Sequence, residues 1–397
     1  MLRVSGHLQL SASDLTGHLN CRHLTQLEME TVNGAREAPK QWDPLLKVLS
    51  ERGAQHERHY AQLLRSEGYS VVQIEGTGIS PDSTEQTVAA MKAGAEIVLQ
   101  AAFLRAPWSG RADVLRRVDA PSGLGKWSYE VLDTKLARQT KAATVLQLSL
   151  YSDLVASAQG VVPEYMYVVA PGSELKSQRF RTAAFAAYFR RIRRSLENRV
   201  AQPSAEAPTY PEPRNHCEIC RWRAPCDAQR RQDDHLCLVA GITKVQIGEL
   251  RRRNVSRVAE LAHLAVPLPW RPERGASQSY ERCREQARVQ VEARLAGAPV
   301  HEVLAPVVGS GLHRLPEPSR GDVFFDIEGD PFAGEGGLEY LLGYVAEDGA
   351  GERRYVEEWA FSREAEREAF ERFVSFVMKR WAQYPDTRHA HLSLCFV

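Results

Sequence analysis

The chain has 397 residues, 43% of them hydrophobic and 25% charged, with a mean hydropathy of −0.38. That length exceeds what one core usually serves and predicts two or three domains of a soluble globular protein. A formal net charge of +1 excludes a globally basic or membrane-coating surface, so any grip on an anionic partner must come from local clusters.

The N-terminal stretch MLRVSGHLQLSASDL carries one early basic residue and no long apolar run, which predicts a cytoplasmic protein without signal peptide or membrane span. Seven cysteines, an odd number in a reducing compartment, argue against a disulfide framework.

Residues 11 to 31 read as one capped helix, with Ser11 or Ser13 as cap, a stripe of Leu15, Leu19, Leu24 and Leu27, and Cys21 inside it. A second helix, LLKVLSERGAQHERHYAQLLRSEG, ends at Gly68 and leads into a strand, YSVVQIEG. A helix near Thr84 to Ala93 precedes AEIVLQAAFLRAPWSGRADVLRRV, two strands around a turn at Pro107 to Gly110. The strand YEVLDTKLAR follows, then a helix from about Ala142 to Ala158, the strand VPEYMYVVAPG and an arginine-rich helix over 179–200. This order predicts a mixed α/β domain around a central sheet.

Pro203, Pro208, Pro211 and Pro213 mark an irregular segment before HCEICRWRAPC. Residues 237 to 300 read as helical, with GITKVQIGELRRRNVSRVAELA as two short helices around a turn. That pair is loosely similar to helix-hairpin-helix modules but is expected to be a packing spacer. A linker follows around Pro316 and Pro318. A third region opens on the strand DVFFDIEGD and continues through EYLLGYV and RRYVEEWAF to the helix SREAEREAFERFVSFVMKRW. The expected divisions are 1–235, 236–315 and 316–397.

Residues two apart share a strand face, so Asp133 and Lys135 project together while Glu130, Leu132 and Thr134 face away. GRADVL sets Asp113 in another apolar strand, and QLSLY sets Gln147 and Tyr151 one turn apart on a helix. Carboxylates are hard oxygen ligands for a divalent cation, and a lysine beside it can orient water and offset charge on a phosphate. Asp-x-Lys alone is weak, and a solvated strand end would explain it; the order of Asp113, Asp133, Lys135, Gln147 and Tyr151 carries the signal.

With His56 in GAQHE, these residues resemble the motifs of the RecB-like branch of the PD-(D/E)xK nucleases. The resemblance implies a restriction-endonuclease-like α/β core with helical additions. It also implies Mg²⁺ or Mn²⁺ held by His56, Asp113 and Asp133, a catalytic Lys135, and Gln147 and Tyr151 contacting DNA or steadying the site. His56 shares a helix side with Leu49 and Leu63, where a packed core histidine would be ordinary; His59 is the fallback ligand.

Cys217, Cys220 and Cys226 have a spacing that points to a metal centre. A zinc ribbon is the generic reading, with His216, Cys237 or the distant Cys21 as fourth ligand. One cysteine before the nuclease motifs and C-x₂-C-x₅-C after them is similar to the iron–sulfur nucleases of the AddB type and the CRISPR-associated exonucleases. The similarity implies a [4Fe–4S] cluster on Cys21, Cys217, Cys220 and Cys226, acting as a structural staple. Cys237, Cys283 and Cys395 are otherwise expected to be ordinary thiols.

The helix over 179–200 interleaves Arg179, Arg181, Arg190, Arg191, Arg193, Arg194 and Arg199 with aromatic residues, expected as a minor DNA contact at most. In the third region Asp326 and Glu328 share a strand face and form a weak second metal site. That region resembles the start of an RNase H-like, DnaQ-type domain. It lacks the further carboxylates such a domain uses, so an incomplete, inactive domain in a fragment or frameshifted product is expected. The resemblance implies DNA as partner, single-stranded or with free ends, and a helicase. Three functions follow: a metal-dependent DNA nuclease in repair or recombination, a non-catalytic DNA-binding or scaffolding module, or a zinc-ribbon protein with coincidental carboxylates.

Overall fold

A computed structural model describes the chain except for residues 5, 41–43, 77, 138, 172–174, 203–207, 316, 332, 334–335, 386–389 and 393–397. Cys395, Pro203 and Pro316 lie outside the described residues. The chain divides into two compact units, residues 1–302 and 303–397, apart from 172–174.

In the first unit a small hairpin of β1 (Leu2–Val4) and β2 (His7–Gln9) leads into α1 (Ala12–Asn20). Ser11 caps α1 reciprocally with Asp14, an arrangement worth about 1 kcal/mol. The single helix expected over 11–31 is in fact two. Cys21 is extended, with φ −155° and ψ 112°, and separates α1 from α2 (Arg22–Val32). The leucine stripe carries the reason: the step from Leu19 to Leu24 is five residues, which a continuous 3.6-residue period does not accommodate.

Next come α3 (Pro44–Ser66), β3 (Val71–Gln73), α4 (Pro81–Lys92), β4 (Ile97–Arg105), β5 (Trp108–Val118), β6 (Ser128–Thr134), α5 (Ala142–Gln159), β7 (Tyr165–Val169), β8 (Ser177–Arg181) and α6 (Thr182–Ala201). The six strands form one sheet in the order β3-β4-β5-β6-β7-β8, parallel at β3/β4 and β6/β7 and antiparallel elsewhere. The turn between β4 and β5 is tighter than the sequence implies: Trp108, Ser109 and Gly110 are already strand. Arg179 and Arg181 belong to the edge strand β8 rather than to α6.

Both faces of the sheet are covered. Val98, Phe103, Leu115, Tyr129, Val131 and Met166 pack with Leu15 of α1, Leu146, Leu150 and Leu154 of α5, and Phe189 and Leu196 of α6. On the other face Ile97, Leu99, Val114, Leu132 and Tyr167 pack with Tyr60, Ala61 and Leu64 of α3. A strand buried on both faces reads as a continuous apolar run, and β6 is buried along its whole length. Any charge on β6 therefore sits in the interior and needs a partner.

The remaining helices of this unit are α7 (Arg223–Gln232), α8 (Lys244–Arg252), α9 (Val258–Ala262) and α10 (Ser277–Ala296). The last three close on a core of their own that includes Leu236, Ile247, Leu250, Val258, Leu261 and Tyr280. The buried carboxylate of Glu249 accepts from Tyr280 Oη at 2.9 Å and from the Glu273 amide at 3.0 Å.

The second unit has β9 (Val323–Asp330), β10 (Leu338–Glu347), β11 (Arg353–Trp359), α11 (Arg363–Gln383) and β12 (Ala390–Leu392). Its sheet order is β11-β10-β9-β12, antiparallel except for the parallel pair β9/β12. Val323, Leu342, Tyr344 and Phe373 make its core. No helix among the described residues is long and apolar enough to cross a membrane.

Candidate active site

The antiparallel register of β5 and β6 ends at Val114 and Leu132, and Asp113 and Asp133 are the next residue of each strand beyond it. The β5 ladder bond is replaced there by a side chain: the Thr134 amide and hydroxyl donate to Asp113 Oδ2 at 2.9 and 3.0 Å. Asp133 is 0% exposed. Burial, then the Asp113 carboxyl within hydrogen-bond reach, push its carboxyl well above the usual range.

Two neighbours hold Asp133. Gln147 of α5 donates from Nε2 to Oδ1 at 3.1 Å and to Tyr151 Oη at 3.3 Å. Lys135, one residue past β6, places Nζ 2.6 Å from Oδ2. That ammonium is the cation set against Oδ2, which is otherwise buried. Asp133, Lys135, Gln147 and Tyr151 thus meet as their spacing predicts, and Asp113 meets them across the ladder. Glu130 faces the other side of β6, accepting from the Tyr165 amide at 3.0 Å and Tyr167 Oη at 2.7 Å.

Tyr151 is placed by a glycine. A Cβ on Gly110 would lie 2.7 Å from the Tyr151 ring and 3.0 Å from Leu154, so the ring lies against bare β5 backbone. Burial, and next the Asp133 charge, push the Tyr151 phenol far up, which keeps it neutral and able to donate.

From α3, His56 contacts the Val169 carbonyl through Nε2 at 3.1 Å, beside the end of β6. A carbonyl only accepts, so Nε2 carries the proton and a neutral ring has its lone pair on Nδ1. His59, the fallback, is exposed. The sequence reading missed Glu57. Its carboxyl is pushed up by burial and then by the Asp113 charge, and it accepts a hydrogen bond from Gln100. The available signal was its phase: Glu57 falls in step with Tyr60, Ala61 and Leu64, the stripe of α3 that enters the core.

Cys21, Cys217, Cys220 and Cys226 line one pocket together with His23, His216, Trp222 and Arg230. The Cys21 thiol accepts from the Leu24 amide at 3.4 Å, and burial pushes the Cys226 thiol up to about 11. Cys237 lies outside that lining. Among the described residues no three His, Cys, Asp or Glu side chains converge as ligands of a single ion do, at the carboxylates or at the cysteines. In the second unit Asp326 lies mid-strand on β9, and its Oδ1 accepts from the Ile327 amide at 3.0 Å.

A mixed sheet covered on both faces, with paired carboxylates and a lysine at its end, is the architecture of a restriction-endonuclease-like protein. The profile of the PD-(D/E)XK nuclease superfamily matches residues 13–227, and the chain belongs to that superfamily. Its members are typically metal-dependent nucleases acting on nucleic acid. None of the curated proteins compared matches the chain.

Proposed function

We propose that the chain is a Mg²⁺- or Mn²⁺-dependent DNA nuclease of the RecB-like branch, working in repair or recombination on single strands or free ends, with a helicase as partner. The observation that carries this reading is the pairing of Asp113, midway along β5, with the buried Asp133 at the end of β6, whose Oδ2 has Lys135 Nζ 2.6 Å away.

The donor chemistry, hard oxygens of Asp113, Asp133 and Glu57, suits a divalent cation, although these side chains do not converge on one point, and His56 contacts the Val169 carbonyl near the end of β6. A bound cation there would polarise the phosphoryl group and acidify a water. The protein's own groups do the rest. Lys135 orients the attacking water and offsets negative charge on the phosphate. Gln147 fixes the Asp133 carboxylate in plane, and Tyr151 buttresses Gln147.

The four cysteines are read as an iron–sulfur staple, on the cysteine spacing and their shared pocket. Four cysteines line one pocket, and four thiolates are the ligand set that a [4Fe–4S] cluster takes; a four-thiolate zinc site is the alternative. Such a staple ties the α1/α2 break to α7 across roughly two hundred residues. The second unit supports an RNase H-like reading through its strand order, with the fourth strand parallel to the first after a helix. On this reading residues 1–235 are the nuclease domain, 236–315 a helical region and linker, and 316–397 the RNase H-like region with Asp326 and Glu328 as its acidic pair.

Cleavage of end-bearing DNA in Mn²⁺ tests the proposal, with Asp133→Ala as control. Wild type should degrade the DNA and the variant should lose at least about a hundredfold in rate; equal degradation sinks the assignment. Purified anaerobically, the protein should be brown and lose its visible absorption on Cys220→Ser. A colourless protein with stoichiometric zinc would replace the cluster by a zinc site.

A further inference from the structure

We infer that Gln100 is a positioning residue of this site, holding the Glu57 carboxylate beside Asp113; the inference rests on the nuclease reading above. Val98, Ala101 and Phe103 of β4 face α5, whereas Ile97 and Leu99 face α3. Strict alternation would put Leu99 and Ala101 on the same side, so one residue interrupts the phase. That residue is Gln100, with φ +55°, a left-handed conformation rare for a side chain with a Cβ. The ladder confirms the place: Leu99 pairs with Val114 and Ala101 with Ala112, and the level skipped is Gln100 and Asp113. Strain of this kind persists where surrounding contacts over-determine it.

Those contacts lead to the site. Arg111 donates to the Gly78 carbonyl at 2.7 Å, to the Ile74 carbonyl at 2.9 Å and through Nε to Gln100 Oε1 at 2.9 Å. A guanidinium only donates, so the Gln100 amide cannot flip and its nitrogen is turned to Glu57 Oε1. Asp113 lies at the ladder level of Gln100, whose amide holds Glu57, and burial and then the Asp113 charge raise the Glu57 carboxyl. A fixed donor on Glu57 counters their repulsion and keeps both carboxylates available to one cation.

Gln100→Gly separates this role from a kink in a strand, because glycine accepts the positive φ while removing the amide. Gln100→Asn is the second variant, since asparagine also tolerates the conformation but is one methylene short of Glu57. Both should melt in EDTA within a degree or two of wild type or above it. Both should weaken Mn²⁺ binding, measured by calorimetry, about tenfold, with a matching fall in cleavage. In a Glu57→Gln background Gln100→Gly should add no further loss, because its partner is already changed. Mn²⁺ affinity within twofold of wild type, or losses that add in full, would overturn the inference while leaving the nuclease reading intact. A wild type that neither binds Mn²⁺ nor cleaves, or an Asp133→Ala variant that cleaves normally, removes both.

Discussion

Asp133 is a carboxylate with no exposed surface, a like-charged neighbour and a single lysine to offset its charge. Such a group destabilises the metal-free fold, because removing a charge from water costs more than one lysine contact returns. Asp133→Asn should therefore raise the melting temperature in EDTA by a few degrees, about 1 kcal/mol, while abolishing cleavage. A lower melting temperature would show that the charge supports the fold. His18 behaves oppositely. Its ring is buried between Thr25 Oγ1 and Ser195 Oγ, each at 2.9 Å, and burial followed by Arg22 lowers its pKa from 6.5 to about 4. A base depressed on folding contributes stability that is complete above 6.5 and is lost as pH falls from there towards about 4. Thermal melts should show that loss, and His18→Gln should flatten it. At this scale strand and helix periods made Asp133 with Lys135 and Gln147 with Tyr151 legible as pairs, and the order of the motifs joined them to Asp113. Gln100 was not, because the periods assume an uninterrupted strand, and Glu57 was masked by the more conspicuous His56.

Between elements, close approach does work that composition hides. The Tyr151 ring fits only because Gly110 lacks a Cβ, and Tyr151 in turn backs Gln147 and Asp133. Gly110→Ala should cost about 1–3 kcal/mol through overpacking and lower cleavage without touching a charged group. Urea melts and rates measured on the same preparation check it, and an unchanged rate would separate Tyr151 from the chemistry. The order of helices and strands around the sheet was readable from hydrophobic period, turn residues and caps. The break at Cys21 was less so, since Leu15, Leu19, Leu24 and Leu27 look like one stripe until the five-residue step is counted. The strand β8 was hidden because an arginine-rich segment with aromatic residues suits an exposed edge strand and a helix equally.

Across the whole molecule, the two units are joined by a segment without regular structure, in which Val303, Leu304, Val307 and Val308 are 65–89% exposed. Apolar residues in open chain are accessible to elastase-like proteases. Limited proteolysis should cut between about residues 300 and 315 first, leaving a fragment that retains all four pocket cysteines and both aspartates. First cuts inside residues 210–300 would show that the helical region is the looser part.

The position of Cys21 has a consequence for how the molecule is made. Its thiol leaves the ribosome about two hundred residues before Cys226 does, an interval of roughly 10–40 s at ordinary elongation rates. During that interval one wall of the cysteine pocket exists without the other three. On the proposed reading of these cysteines as one cluster site, the nascent chain has to keep a lone thiol reduced until the last wall arrives, and the speed of synthesis and the redox state of the cell then bear on the yield of assembled protein.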